Sequence, residues 1–287
     1  MMELMQLITY GNEFIRKTAF VDNISLDTFV DDRYTIDFIE ETNIKGEKII
    51  AKNPIDWFHY LSQKKCLNLK LFHVPEEAHD YLNVCYDYNA DGWYIEAVFN
   101  DHIQLWKGVL THDMGSGGYV KSRKKTYTRV NRVTSTLLKK NTSLRKLTLS
   151  ATTETLYQSL IFIKNFASEK INENGWARRF QNIIDILDYN QTETTTFIIK
   201  DFLEKNLIIQ TNYTNNSLIL LKASCNLFIF TGRNSWNDLS FYWSSEYEKY
   251  LDEYKVLTKK LYLARNNAII TSFNSSNYNI QNNNILL

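Results

Sequence analysis

The spacing of apolar residues changes near residue 150, and that change limits the fold more than any other feature of the chain. Upstream of it, apolar residues recur at every second position. In "RYTIDFIEETNIKGEKIIAKN", Tyr34, Ile36 and Phe38 alternate with polar neighbours, the period of a strand with one buried side. A turn at Lys45-Gly46 divides this segment into two strands. In "YLNVCYDYNADGWYIEAVFNDHIQLWKGVL", Leu82, Val84, Tyr86 and Tyr88 alternate, and Asn89-Ala90-Asp91-Gly92 supplies turn chemistry. Trp93 to Phe99 is the return strand, Asn100-Asp101 a second tight turn, and His102 to Leu110 a third strand. This predicts an antiparallel meander with Trp93, Ile95, Ala97 and Phe99 on one face. Before it, "NPIDWFHYLSQKK" predicts a short helix, with Asn53 as its cap and Pro54 in its first turn.

Downstream, the period lengthens to that of a helix. Leu156, Leu160, Ile163 and Ile171 mark one helix, with Thr152 or Thr153 as its cap. Trp176, Phe180, Ile183, Ile184 and Leu187 form the apolar stripe of a second. "TTTFIIKDFLEKNL" predicts a third. "SLILLKASCNLFIF" fits a strand or a buried helix, and its length favours the helix. "YLDEYKVLTKKLYLARNNAIITSF" is a final amphipathic helix before a polar tail. The expected fold class is α+β. An antiparallel β-rich N-terminal domain over residues 1–150 carries the meander, and a helical domain with the polar tail follows over 151–287.

At 287 residues there is room for one large domain or two ordinary ones. The net charge of +1 excludes polyanion binding by bulk charge, so any such role needs local clustering. Cys66, Cys85 and Cys225 form no CxxC pair and no Cys/His ligand cadence, which points to reduced thiols and to no metal. The longest apolar runs fall well short of the ~20 residues that span a bilayer. The opening "MMELMQLITYGNEFIRK" is acidic and polar too early for a signal peptide. A cytoplasmic address without membrane partners is the resulting expectation.

The segment most suggestive of function is "GSGGYVKSRKKTYTRVNRVT", residues 115–134. A dinucleotide loop needs GxGxxG between a strand and a helix, but Val120 takes the place of the third glycine and the pattern that follows is a strand. A P-loop needs Gly-Lys-Ser/Thr, and Lys121 follows Val120 instead. No cofactor is implied. The cations are more informative, because no acid lies between Asp113 and Glu154. In strand register Lys121, Arg123, Lys125 and Arg129 share a face that includes Tyr127, and Arg132 extends the basic run. Three readings stay open for this strip: a solvated edge strand kept apart by charge, a docking surface for an acidic protein, or a nucleic-acid contact. His112 beside Asp113 would be the place for an acid/base group, although no nucleophile, GxSxG or HExxH accompanies it. In "TGRNSWNDLSF", Trp236 is expected to anchor an ordered loop ahead of the last helix.

Three C-terminal segments taken in order, "NGWARRFQNIIDIL" at 174–187, "FTGRNSWNDLSF" at 230–241 and "LTKKLYLARNNAI" at 257–269, carry a family likeness. Over about residues 155–273 the chain resembles a small bacterial helical domain of unknown function found in immunity-type genes near polymorphic toxins. The family often has Gly-Met-Gly-Ser where this chain has Gly232-Arg233-Asn234-Ser235. The resemblance implies a role in interaction and no catalytic residues. The expected partner is a protein, a cognate toxin, with nucleic acid or an enzymatic site near His112 and Asp113 as alternatives.

Overall fold

A computed structural model describes residues 2–16, 34–42, 46–74, 92–114, 120–129, 147–188, 212–227, 230, 235–236, 239 and 245–276. The strand expected over 82–88, the helix expected over 194–207, the glycine loop 115–118, Cys85 and Arg132 lie outside these residues. The fold class is α+β, with strands in the N-terminal half and helices in the C-terminal half. The chain divides into two compact units.

The first unit contains α1 (Met2–Arg16), β1 (Tyr34–Thr42), β2 (Gly46–Ala51), α2 (Pro54–Gln63), β3 (Asn68–His73), β4 (Trp93–Val98), β5 (Ile103–Met114) and β6 (Val120–Arg129). The strands form one sheet in the order β2-β1-β6-β5-β4-β3. After the β1–β2 hairpin, α2 carries the chain from one edge of the sheet to the other. The β3–β6 strands then walk back by antiparallel steps, and their three reversals leave β6 running parallel to β1. That parallel pair is the exception to an otherwise antiparallel sheet. It also corrects one reading of the basic strand: β6 is paired on both sides, so it is not an edge.

The α2 cap follows its local sequence. Asn53 Oδ1 accepts the Asp56 N–H at 2.8 Å, and Pro54 occupies the first turn, where its missing N–H costs nothing. Trp57 of α2 stacks on Phe38 at 4.5 Å and meets Trp106 edge-on at 5.4 Å, so α2 covers the sheet face that carries both. The expected Trp93, Ile95, Ala97 and Phe99 are all buried. Tyr94 and Glu96 are buried as well, so β4 is covered on both faces rather than one. Phe72, Tyr94 and Leu105 make a separate cluster on the second face.

Two elements had no sequence assignment. α1 buries Leu4, Met5, Leu7 and Ile8 at helical spacing, but Gly11 and Asn12, poor helix formers, interrupt its local signal. Both are explained by β3. A Cβ on Gly11 would stand 2.5 Å from Leu69 Cδ1, so only glycine permits this approach. Asn12 bonds the Leu69 backbone. β3 forms the sheet edge opposite β2 and is locally too short and mixed to be read alone.

The second unit holds α3 (Leu149–Asn165), α4 (Asn174–Asp188), α5 (Asn215–Asn226) and α6 (Leu251–Asn274), with a π-helical turn over Phe166–Lys170. α3 starts earlier than expected. Thr148 is its cap, with Oγ1 accepting the Ala151 N–H, while Thr152 is buried and its hydroxyl donates to the Thr148 carbonyl at 2.8 Å. Contacts Thr152–Thr271 and Phe166–Tyr254 set α3 antiparallel to α6. The predicted stripes are in place: Leu156, Leu160, Ile163, Trp176, Phe180, Ile183 and Ile184 share one core. "SLILLKASCN" lies within a helix, α5.

Candidate interaction surface

The basic residues of β6 sit on a strand held by its neighbours along most of its length. Arg123 stands opposite Tyr34 of β1 and His112 of β5. Lys124 stands between Thr35 and Thr111, and Lys125 between Ile36 and Leu110. Tyr127 stands between Phe38 and Gly108, and Arg129 between Glu40 and Trp106. Lys121 falls at an irregularity, since Met114 pairs with Val120 and Asp113 with Ser122. The odd positions therefore belong to the row that includes Phe38 and Trp106.

The register separates these cations by their neighbours. On β1, Glu40 stands opposite Arg129, and on β2 Lys48 stands opposite Glu40. Arg129, Glu40 and Lys48 thus alternate in sign across three strands. No carboxylate stands directly opposite Arg123, Lys124 or Lys125 on either side.

His112 and Asp113 lie in the last part of β5, which runs four residues beyond the strand expected from sequence. Their register partners are Arg123 and Ser122. Another His–Asp pair, not singled out from sequence, lies on the β4–β5 hairpin. His102 Nδ1 is 2.7 Å from Asp101 Oδ1, and its Nε2 is 3.2 Å from Gln104 Nε2. A neutral ring that donates from Nδ1 and accepts at Nε2 satisfies both contacts. Phe99 stacks on the imidazole at 4.5 Å, and the His102 bond holds the Asp101 carboxyl below its ordinary range. The geometry orients an imidazole as catalytic carboxylates do, but the far nitrogen meets an amide rather than a nucleophile. Its sequence trace, Asp101-His102 two residues before Gln104 in a tight turn, is too common to be read as a motif.

Several other polar groups lie buried within one unit or the other. His73 is buried against Trp93 at 4.5 Å. Burial pushes the thiols of Cys66 and Cys225 up to about 12. Trp236, the expected loop anchor, is fully buried. Its Nε1–H donates to Thr258 Oγ1 at 2.8 Å, and the Tyr254 hydroxyl donates to its carbonyl. Phe162 of α3 and Val256 of α6 are exposed. Among the described residues, no group of three or more His, Cys, Asp or Glu is placed to hold a metal ion, and no helix is long and apolar enough to cross a membrane.

No family model, curated protein or solved structure matches the chain.

Proposed function

We propose that this chain is a non-enzymatic protein-binding protein: a bacterial immunity protein that neutralises a cognate toxin in the cytoplasm by occlusion. The observation that carries this reading is the placement of the β6 cations on an inner strand. A backbone paired on both sides from Arg123 to Arg129 holds Arg123, Lys125 and Arg129 on a scaffold ordered before any partner arrives, with Lys121 just ahead of it. Preordered charge lowers the entropy lost on association, and its sign selects a partner rich in carboxylates. The family likeness of the helical half supports the same role. Neutralisation by occlusion needs only complementary shape and charge, and a few anchors can supply most of the affinity.

The test is co-expression with the product of a neighbouring toxin gene. Rescue of growth, with co-elution of the two proteins, is expected. The triple charge reversal Arg123→Glu, Lys125→Glu, Arg129→Glu should abolish both. Retention on duplex DNA with a steep salt dependence, and no complex with any neighbouring gene product, would overturn the reading in favour of nucleic acid.

A further inference from the structure

We propose that the core of the first unit holds an internal water molecule, bound by Trp57 of α2 and by Trp106 and Gln104 of β5. The site does not depend on the function proposed above. Three buried atoms meet no hydrogen-bond partner among the described residues: Trp57 Nε1, Trp106 Nε1 and Gln104 Oε1. Both indoles are fully buried, and Gln104 is 9% exposed. These side chains lie close together. Trp57 meets Trp106 at 5.4 Å. Gln104 is two residues from Trp106 on the same strand, so the two project from one face of the sheet. The set is two donors and one acceptor. A water molecule accepts from both indoles and donates to the amide oxygen, and buried waters make about three hydrogen bonds to groups that lack other partners.

The orientation of the Gln104 amide is set by the hairpin. Asp101 Oδ1 accepts from His102 Nδ1, so the neutral ring accepts at Nε2. Gln104 therefore turns its amide nitrogen toward His102, at 3.2 Å, and its oxygen away from it. The residues opposite Trp106 offer no substitute acceptor: Ile95 on β4 is apolar, and an arginine such as Arg129 on β6 carries only donors. Nor can the two indoles satisfy each other. Their planes are inclined at 74°, and in an edge-on pair only one ring aims its edge at the other's face. A contact of that kind is weak, and it leaves the second N–H still in need of an acceptor. Without one, that N–H forfeits the hydration it has in the unfolded chain.

The test uses the intact chain, isotopically labelled so that its six indole N–H groups are resolved and assigned by NMR. Magnetisation transfer from water is expected at the Trp57 and Trp106 indoles, with the sign of a water that tumbles with the protein. Gln104→Met removes the acceptor with little change of volume, and it should weaken the transfer to Trp106 about threefold or more. Gln104→Asn, which draws the oxygen back by one methylene, serves if the first variant does not fold. No transfer at either indole would overturn the site, and transfer at one alone would overturn its sharing. Transfer that is unchanged in the Gln104 variant would overturn the part given to Gln104 and point to a nearby hydroxyl as the source. A crystal structure of the intact chain gives a second readout. One water oxygen within about 3 Å of all three atoms is expected. A dry contact among the three side chains, or a density larger than water, would contradict the proposal.

Discussion

Asn12 and Leu69, 57 residues apart, exchange two hydrogen bonds: Asn12 Nδ2–H donates to the Leu69 carbonyl at 2.9 Å, and the Leu69 N–H donates to Asn12 Oδ1 at 2.7 Å. Leu69 lies on β3, at the sheet edge, so its backbone groups on the outer side cannot be met by another strand of this sheet. A side-chain amide from α1 takes the place of that strand and closes the edge there to a foreign one.

Asn12→Ala should therefore destabilise the first unit by about 1–3 kcal/mol, the cost of leaving a buried backbone donor and acceptor unpaired. Urea unfolding should show a lower midpoint with an unchanged slope. A midpoint equal to that of the parent would mean that solvent meets Leu69 instead.

Two glycines in helices should respond to alanine with opposite signs. At Gly11 an added Cβ would stand 2.5 Å from Leu69 Cδ1 and 2.9 Å from Phe58 Cε1. Helix propensity favours alanine by about 1 kcal/mol, while overpacking costs about 1–3 kcal/mol, so Gly11→Ala should be net destabilising. At Gly175 nothing lies within 4 Å of the added atom, so Gly175→Ala should stabilise α4 by up to about 1 kcal/mol. Thermal melts of the two variants would expose an error if both moved in the same direction.

In the helical unit the Trp236–Thr258 bond can be isolated by a double-mutant cycle. Trp236→Phe leaves the Thr258 hydroxyl without its indole donor, and Thr258→Val leaves the indole N–H without an acceptor, at about 1–3 kcal/mol each, besides any loss of ring packing. The combined variant should be less destabilised than the sum of the singles, because no polar atom of the pair is then left behind. Additive losses would show that the bond contributes nothing beyond packing.

Burial of Cys66 and Cys225 makes stability fall at high pH. Both thiols rise from about 9 when exposed to about 12 in the folded chain. Between those values the unfolded chain has lost protons that the folded chain keeps, so raising the pH favours unfolding. Their stabilising effect is complete below pH 9 and is lost as pH rises through 12. Replacing both by alanine should flatten the decline across this window in pH-resolved urea melts. At pH 8 both thiols should resist iodoacetamide until the chain unfolds; rapid labelling at Cys66 or Cys225 of the native protein, located by peptide mapping, would contradict their burial.

Features with a local cause were legible in the residues. Asn53 before Pro54 starts α2, and the stripe from Trp176 to Ile184 faces a core, because caps and helical periodicity involve residues within a few positions of each other. Trp236 was readable as an anchor for a similar reason, one large aromatic among loop-forming residues. The cap of α3 was misplaced by four or five residues, since several threonines near 150 compete for one role and the start of helical packing chose Thr148.

The residues by themselves thus determined the change from strands to helices, the strongest elements, and the presence of a basic segment free of acids. Only the tertiary structure decided which strands lie side by side, that β4 is covered on both faces, and that Gly11 and Asn12 belong in a helix. It also put β6 inside the sheet and set Glu40 opposite Arg129 while leaving Arg123 beside Tyr34 and His112. Those outcomes depend on contacts between residues far apart in the chain, and the local period of apolar residues does not encode them.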